Sequence, residues 1–177
     1  MNADPAPDSD PPTPAPARLP RRLAAIVYDG LLLLGVLLGA TGLALGLAVA
    51  LLGSESVARH SPLQGNPFFS TYLLLVCFFF YGGFWVHGGQ TLGMRAWRLR
   101  VQRPDGRNIG WWQALLRFLV AVLWPVPVAA YLYRVLGVGA GPSLLAGVAC
   151  LILGLALRLP DRVSETELVL LLPKRKN

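Results

Sequence analysis

Residues 88–107, with the sequence GGQTLGMRAWRLRVQRPDGR, separate two long apolar segments and decide how the chain meets a membrane. The stretch contains five arginines and a single acid, Asp105. Positive residues close to a membrane segment resist translocation, so a loop of this composition stays on the cytoplasmic side. The loop therefore predicts that the apolar segments on both sides of it begin or end at the cytoplasmic face of a bilayer.

The composition of the 177 residues is typical of an integral membrane protein. The chain is 54% hydrophobic and 14% charged, whereas about a quarter of the residues in a soluble domain are charged. The net charge of +7 is also compatible with nucleic-acid binding. Because the arginines flank apolar runs, which is the positive-inside pattern, we expect the lipid bilayer as partner and no nucleic acid.

The apolar runs predict an all-α membrane protein with four transmembrane helices and with both termini in the cytoplasm. The predicted helices cover residues 26–52, 68–86, 118–135 and 143–159. The basic loop is expected to hold short extended and amphipathic segments, and the ELVLLL stretch at residues 167–172 a strand or an interfacial segment. A disordered Pro-rich tail is predicted at residues 1–20, a transmembrane domain at 21–172 and a basic tail at 173–177.

Small residues form one stripe on the first predicted helix and another on the fourth. On the first helix they are Gly35, Gly39, Gly42 and Gly46, with spacings of four and three residues that keep them on one face. On the fourth helix they are Ser143, Gly147, Cys150 and Gly154. Small residues on one face let another helix approach closely, so the hypothesis is that the two stripes pack antiparallel on each other.

Asp29 is the only acid inside an apolar run. An ionised carboxylate is costly to bury unless it is paired, so an ionisable residue in a membrane span is a functional candidate. The alternative is that Asp29 lies one turn inside the interface, where water or an arginine satisfies it. Arg22 lies on nearly the same face about 10 Å along the axis. Each side chain can therefore bind something between them: the basic loop, the C-terminal segment, an anion or a lipid headgroup.

Arg117 stands at the start of the third predicted helix, and two interpretations are open for it. Its long side chain can extend to lipid headgroups, or it can be the partner of Asp29. If the pair exists, exchanging the two charges restores what either single substitution loses.

Nothing in the sequence specifies covalent chemistry. The two cysteines, Cys77 and Cys150, both lie in apolar runs without a CxxC pair. Metalloprotease, hydrolase, phosphate-binding and dinucleotide-binding motifs are all missing. We therefore expect no enzyme, no catalytic residue, no metal and no cofactor.

Three segments together resemble the RDD family of bacterial membrane proteins. They are RRLAAIVYD at residues 21–29, GQTLGMR at 89–95 and PDRVS at 160–164. The resemblance covers residues 19–172 and implies a multi-pass protein of the inner membrane. Met94 replaces a lysine that is usual in the family and Pro160 a histidine, while Asp161 is left to serve as the second acid. With Arg117 added from its position, the candidate functional residues are Arg22, Asp29, Thr91, Gly93, Arg95, Arg117, Asp161 and Arg162.

Two functions are compatible with these observations. The resemblance implies transport of ions or small solutes, which is proposed for some members of the family, and four helices per chain would then favour a homo-oligomer. The alternative is an accessory or assembly protein without transport. Its cytoplasmic face would bind anionic lipid headgroups or a membrane protein partner, and Arg22 and Asp29 would be a structural lock.

Overall fold

The computed structural model describes residues 17–171, and within them the chain forms eight helices and a two-stranded sheet. The helices are α1 (Leu19–Leu52), α2 (Ser54–His60), α3 (Pro67–Gly88), α4 (Leu92–Ala96), α5 (Trp111–Leu123), α6 (Pro125–Arg134), α7 (Ala140–Ala156) and α8 (Leu159–Val163). The strands are β1 (Leu99–Gln102) and β2 (Glu167–Leu170). The basic tail predicted at 173–177 lies outside the described residues, as does the predicted Pro-rich tail up to residue 16.

Three helical segments are long and apolar enough to cross a membrane: α1, α3, and the joined helices α5 and α6 over Trp111–Arg134. The fourth predicted helix corresponds to α7, which is apolar but has only 17 residues, about 26 Å at 1.5 Å per residue. Two predicted boundaries were wrong. Helix α1 already begins at Leu19, within the predicted tail, and the third helix begins at Trp111 because the amphipathic segment is continuous with it.

The basic loop and the end of the chain form one antiparallel ribbon. Leu99 pairs with Leu170 and Gln102 with Glu167, so of the two alternatives for ELVLLL, a strand or an interfacial segment, the strand is the one that forms. Alternation along β1 buries Leu99 and Val101 completely, while Arg98 is exposed and Arg100 is half-buried. The backbone N–H of Ala17 donates to the Leu168 carbonyl at 3.1 Å, so the start of α1 joins the same layer.

We call this layer the polar platform: α4, β1, α8, β2 and the first turns of α1 and α5. Most of the buried apolar side chains lie in it or directly against it, among them Ala25, Met94, Leu99, Phe118 and Leu168. In contrast, the apolar residues of α1 after Gly30 are exposed or only half-buried. The core of the described residues is therefore at one end of the helices, where the basic loop folds back.

The predicted contact between the two small-residue stripes was wrong. A Cβ atom added at Gly35, Gly39, Gly42 or Gly46 would meet no described atom within 4 Å. A Cβ at Gly147 would lie 3.0 Å from the Cβ of Ala129, and one at Gly154 would lie 3.6 Å from Trp124. The α7 stripe thus packs on α6 and the adjoining Trp124, because a short link holds these consecutive helices side by side.

Leucine substitutions in the two stripes are expected to have different effects on stability. We expect Gly147→Leu to destabilise the protein by about 1–3 kcal/mol, because the side chain has no space against Ala129. Gly39→Leu should leave the stability nearly unchanged, since its position is open. Thermal unfolding in detergent measures both, and equal losses at both positions would support the rejected contact between α1 and α7.

Candidate functional site

The Asp29 carboxylate is held by the basic loop. It is 2% exposed, and its Oδ2 accepts a hydrogen bond from Thr91 Oγ1 at 2.5 Å while Oδ1 accepts one from the Gly93 backbone N–H at 2.8 Å. Thr91 is the N-cap of α4, and its Oγ1 also accepts from the Met94 N–H at 3.2 Å. One threonine therefore starts the short helix and fastens it to α1. The loop, which was one of the open alternatives, is the partner of Asp29.

Gly93 permits this close approach of α4 to α1. A Cβ at this position would overlap the Ala25 carbonyl oxygen and would lie 2.9 Å from the Asp29 carboxyl carbon. Any other residue would push the loop away from the helix and stretch both hydrogen bonds. Glycine is therefore needed at position 93 because there is no space for a Cβ atom between α4 and α1.

A second cluster joins three distant parts of the chain through Asp161. Arg22 Nη1 lies 2.7 Å from Asp161 Oδ2, and Arg117 Nη1 lies 2.6 Å from Asp161 Oδ1. All three side chains are at most 8% exposed. The proposed pairing of Arg117 with Asp29 was wrong, because Arg117 pairs with Asp161, and its side chain is buried rather than extended along the surface.

Backbone and hydroxyl groups complete the contacts of this cluster. Arg22 Nε donates to the Ala17 carbonyl at 3.1 Å, and Arg117 Nη1 donates to Thr166 Oγ1 at 2.8 Å. Ser164 Oγ lies 2.7 Å from the same Thr166 oxygen. Sequence reasoning missed both hydroxyls, although two small polar residues directly before an apolar strand are a usable signal of buried hydrogen bonding.

Trp85 of α3 also contacts the cluster and was not predicted. The guanidinium carbon of Arg117 lies 5.6 Å from the centroid of the Trp85 ring, a cation–π distance. The Trp85 ring in turn stacks on Tyr81, with centroids 5.5 Å apart. The aromatic residues of α3 thus cover the side of the charged cluster that faces the helices.

Arg95 and Arg162, which were also candidates, are exposed and belong to neither buried cluster. They contribute instead to a basic surface on the polar platform and the residues next to it. The exposed arginines at this end of the described structure are Arg18, Arg21, Arg95, Arg98, Arg107, Arg158 and Arg162. The exposed acids there are Asp105, Glu165 and Glu167.

The two clusters connect parts of the chain that are distant in sequence. One ties α1 to the basic loop, and the other ties α1 and α5 to the C-terminal segment. Both oxygens of Asp29 accept hydrogen bonds, and both oxygens of Asp161 lie beside a guanidinium group. Neither carboxylate is therefore free to accept a proton as a general base. Within residues 17–171, no group of three or more His, Cys, Asp or Glu side chains could hold a metal ion.

The family model described as "RDD family" matches residues 16–165. The matched range contains Arg22, Asp29, the loop with Thr91 and Gly93, and Asp161. Neither the curated proteins nor the solved structures contain a match to this chain.

Proposed function

Because the chain belongs to the RDD family of membrane proteins, we propose that it is an accessory protein of the bacterial inner membrane that does not transport. Its polar platform faces the cytoplasm and binds anionic lipid headgroups. Helix α7 is the fourth span, and both ends of the chain lie inside.

The internal pairing of the buried charges carries this proposal. Asp29 is bound by the loop, and Asp161 is bound by Arg22 and Arg117. Ionisable groups in a transport pathway need to exchange partners or face a water-filled route. Residues 30–52, 67–86 and 140–156 contain no Asp, Glu, Lys or Arg, so those parts of the helices offer an ion no charged side chain.

The surface charge supports both the proposed cytoplasmic orientation of the platform and the proposed binding of anionic lipid headgroups. Seven exposed arginines against three exposed acids surround the platform, and positive residues at the ends of membrane helices favour the cytoplasmic side. Each basic residue near an anionic leaflet contributes about 1 kcal/mol to the attraction. A platform of this charge would collect anionic lipids around the protein.

Neutralising part of the surface tests lipid binding. We expect the triple variant Arg95→Gln, Arg98→Gln, Arg162→Gln to retain several-fold less anionic phospholipid than the wild type after purification from mixed-lipid vesicles. The matched control is Arg59→Gln with Arg134→Gln, which removes exposed arginines from the opposite end of the helices and should change nothing. Equal retention by the triple variant and the wild type would count against the proposal.

Transport is the second candidate, and one observation favours it: a cavity borders both clusters and reaches Asp29, Arg22, Arg117 and Asp161. Proton and sodium flux into vesicles containing the purified protein separates the two functions. We expect vesicles that contain the wild type or Asp29→Asn to show the same proton and sodium flux as protein-free vesicles. Flux in the wild type that Asp29→Asn abolishes, with the variant still folded, would establish transport and overturn the accessory role.

A further inference from the structure

Two clefts meet at Arg158, at the edge of the polar platform. The first, of about 520 Å³, lies between the start of α1 and the end of α7, and Arg18, Arg22 and Arg158 border it. We call it the α1–α7 cleft. The second, of about 420 Å³, lies against α8 and β2, and we call it the α8–β2 cleft. Because Arg22 and Arg158 border both of them, the two clefts are adjacent.

The α1–α7 cleft has an excess of positive charge. Three arginines and no acid border it. Asp161 lies 2.7 Å from Arg22 and compensates its charge. Arg18 and Arg158 are exposed, and within residues 17–171 neither of them makes an ion pair. An anion is therefore favoured in this cleft, and the planar fork of a guanidinium group matches the oxygens of a phosphate.

The α8–β2 cleft has a more balanced charge. Arg158 and Arg162 border it together with an exposed acid, Glu167. Its second acid, Asp161, is already bound by Arg22 and Arg117. The charge excess therefore points to the α1–α7 cleft, and not to its neighbour, as the place for an anionic group.

The α1–α7 cleft also has an apolar wall, formed by Leu19, Leu155 and Ala156. Helix α7 is apolar up to its last residue, Ala156, and Arg158 follows two positions later. The cleft thus joins an apolar surface to two uncompensated cations at the end of a helix. A phospholipid has the same order of groups, since its phosphate lies next to its acyl chains. A soluble phosphate would leave the apolar wall uncovered.

We propose that the α1–α7 cleft binds the phosphate of one anionic phospholipid, with Arg18 and Arg158 as its cationic ligands and the acyl chains against Leu155 and Ala156. The inference rests on the proposed function, because it assigns to one cleft a lipid of the class that the whole platform is proposed to bind. One anionic lipid is then held more tightly than the others around the protein.

Arg158 and Arg98 form a matched pair for testing this site. Both are exposed arginines with a φ of 55°, and of the two only Arg158 borders the clefts. Glycine removes the charge and adopts this left-handed conformation without steric cost, so both glycine variants should fold. Detergent-purified full-length protein is titrated with a short-chain phosphatidylglycerol and with phosphatidylcholine of the same chains, and bound lipid is counted by native mass spectrometry. We expect the wild type and Arg98→Gly to bind one phosphatidylglycerol about tenfold more tightly than phosphatidylcholine, and Arg158→Gly to lose most of this preference.

A second pair repeats the comparison at the start of α1. Arg18 and Arg21 are both exposed, and of the two only Arg18 borders the cleft. Arg18→Gln should weaken the binding of phosphatidylglycerol about fivefold, whereas Arg21→Gln should leave it nearly unchanged. If Arg158→Gly fails to fold, this pair decides.

Inorganic phosphate, titrated alone, distinguishes the two sources of the anionic group. We expect no binding at the concentrations at which phosphatidylglycerol saturates the protein. Phosphate binding as tight as that of the lipid, and lost in Arg158→Gly, would overturn the lipid as occupant and assign a soluble phosphate to the cleft.

The results for the two glycine variants also separate this inference from the proposed function. If the wild type prefers phosphatidylglycerol and Arg158→Gly binds it as tightly as Arg98→Gly does, the assignment to this cleft is overturned, while lipid binding by the platform as a whole still stands. If the wild type shows no preference for phosphatidylglycerol, both the cleft and the proposed function are overturned.

Discussion

Asp161→Asn is expected to lower the free energy of unfolding by about 3–5 kcal/mol, which is a large fraction of the stability of an ordinary protein. The substitution removes the carboxylate between Arg22 and Arg117 and leaves two guanidinium groups buried without a counter-charge. The asparagine amide keeps the volume but cannot neutralise either of them. The loss should also release the C-terminal segment, because Asp161 is its only charged anchor among the described contacts.

Chemical unfolding in mixed micelles measures this loss, and Asp105→Asn is the matched control. That aspartate makes the same chemical change at an exposed position, 3.7 Å from Arg107, where an ion pair contributes about 0–1 kcal/mol. Adding Arg117→Met to Asp161→Asn should recover part of the stability, since one unpaired cation is then removed. Similar stability losses for Asp161→Asn and Asp105→Asn would show that the buried cluster has no structural role.

Gly93→Ala is the second large effect, with an expected loss of about 2–3 kcal/mol. The new methyl group would overlap the Ala25 carbonyl oxygen and press on the Asp29 carboxyl group. Helix α4 must then move away from α1, which weakens both hydrogen bonds to Asp29. A buried carboxylate that loses its donors destabilises the fold further.

Gly88→Ala provides the comparison for this substitution. Gly88 ends α3 only five residues earlier, and a Cβ there meets no described atom within 4 Å. Its unfolding midpoint should match or exceed that of the wild type, since alanine favours a helix over glycine. An equal fall at both positions would mean that glycine is needed in this loop for a reason other than the contact with α1.

Several features of the site were predictable because they depend on residues close together in sequence. The spacing of Arg22 and Asp29 places both on one face of α1 but too far apart to pair, and they bind different segments. The apolar stretch at residues 167–172 is too short to span a membrane, and a strand was one of the two predictions for it. The order of the motifs along the chain resembled the RDD family, and the family match confirms that resemblance.

The pairing of Arg117 could not be predicted in the same way. Its partner, Asp161, lies 44 positions along the chain in a short helix that follows Arg158, whose φ of 55° reverses the chain. No local pattern relates the two residues. The glycines of α1 show the same limit, since a stripe indicates that a helix can be approached closely but does not specify which helix does so.

The sequence by itself determined the mainly helical membrane character, the family, and the side of the molecule on which the motif residues gather. These properties follow from hydropathy and charge summed over short stretches, so they hold whatever the helices pack against. Only the tertiary structure decided that Asp29 binds the loop, that Asp161 joins two arginines, that α7 packs on α6, and that Arg117 lies against the Trp85 ring. Such contacts depend on distances between side chains as far apart as Arg22 and Asp161, 139 residues in sequence, and only the folded chain sets those distances.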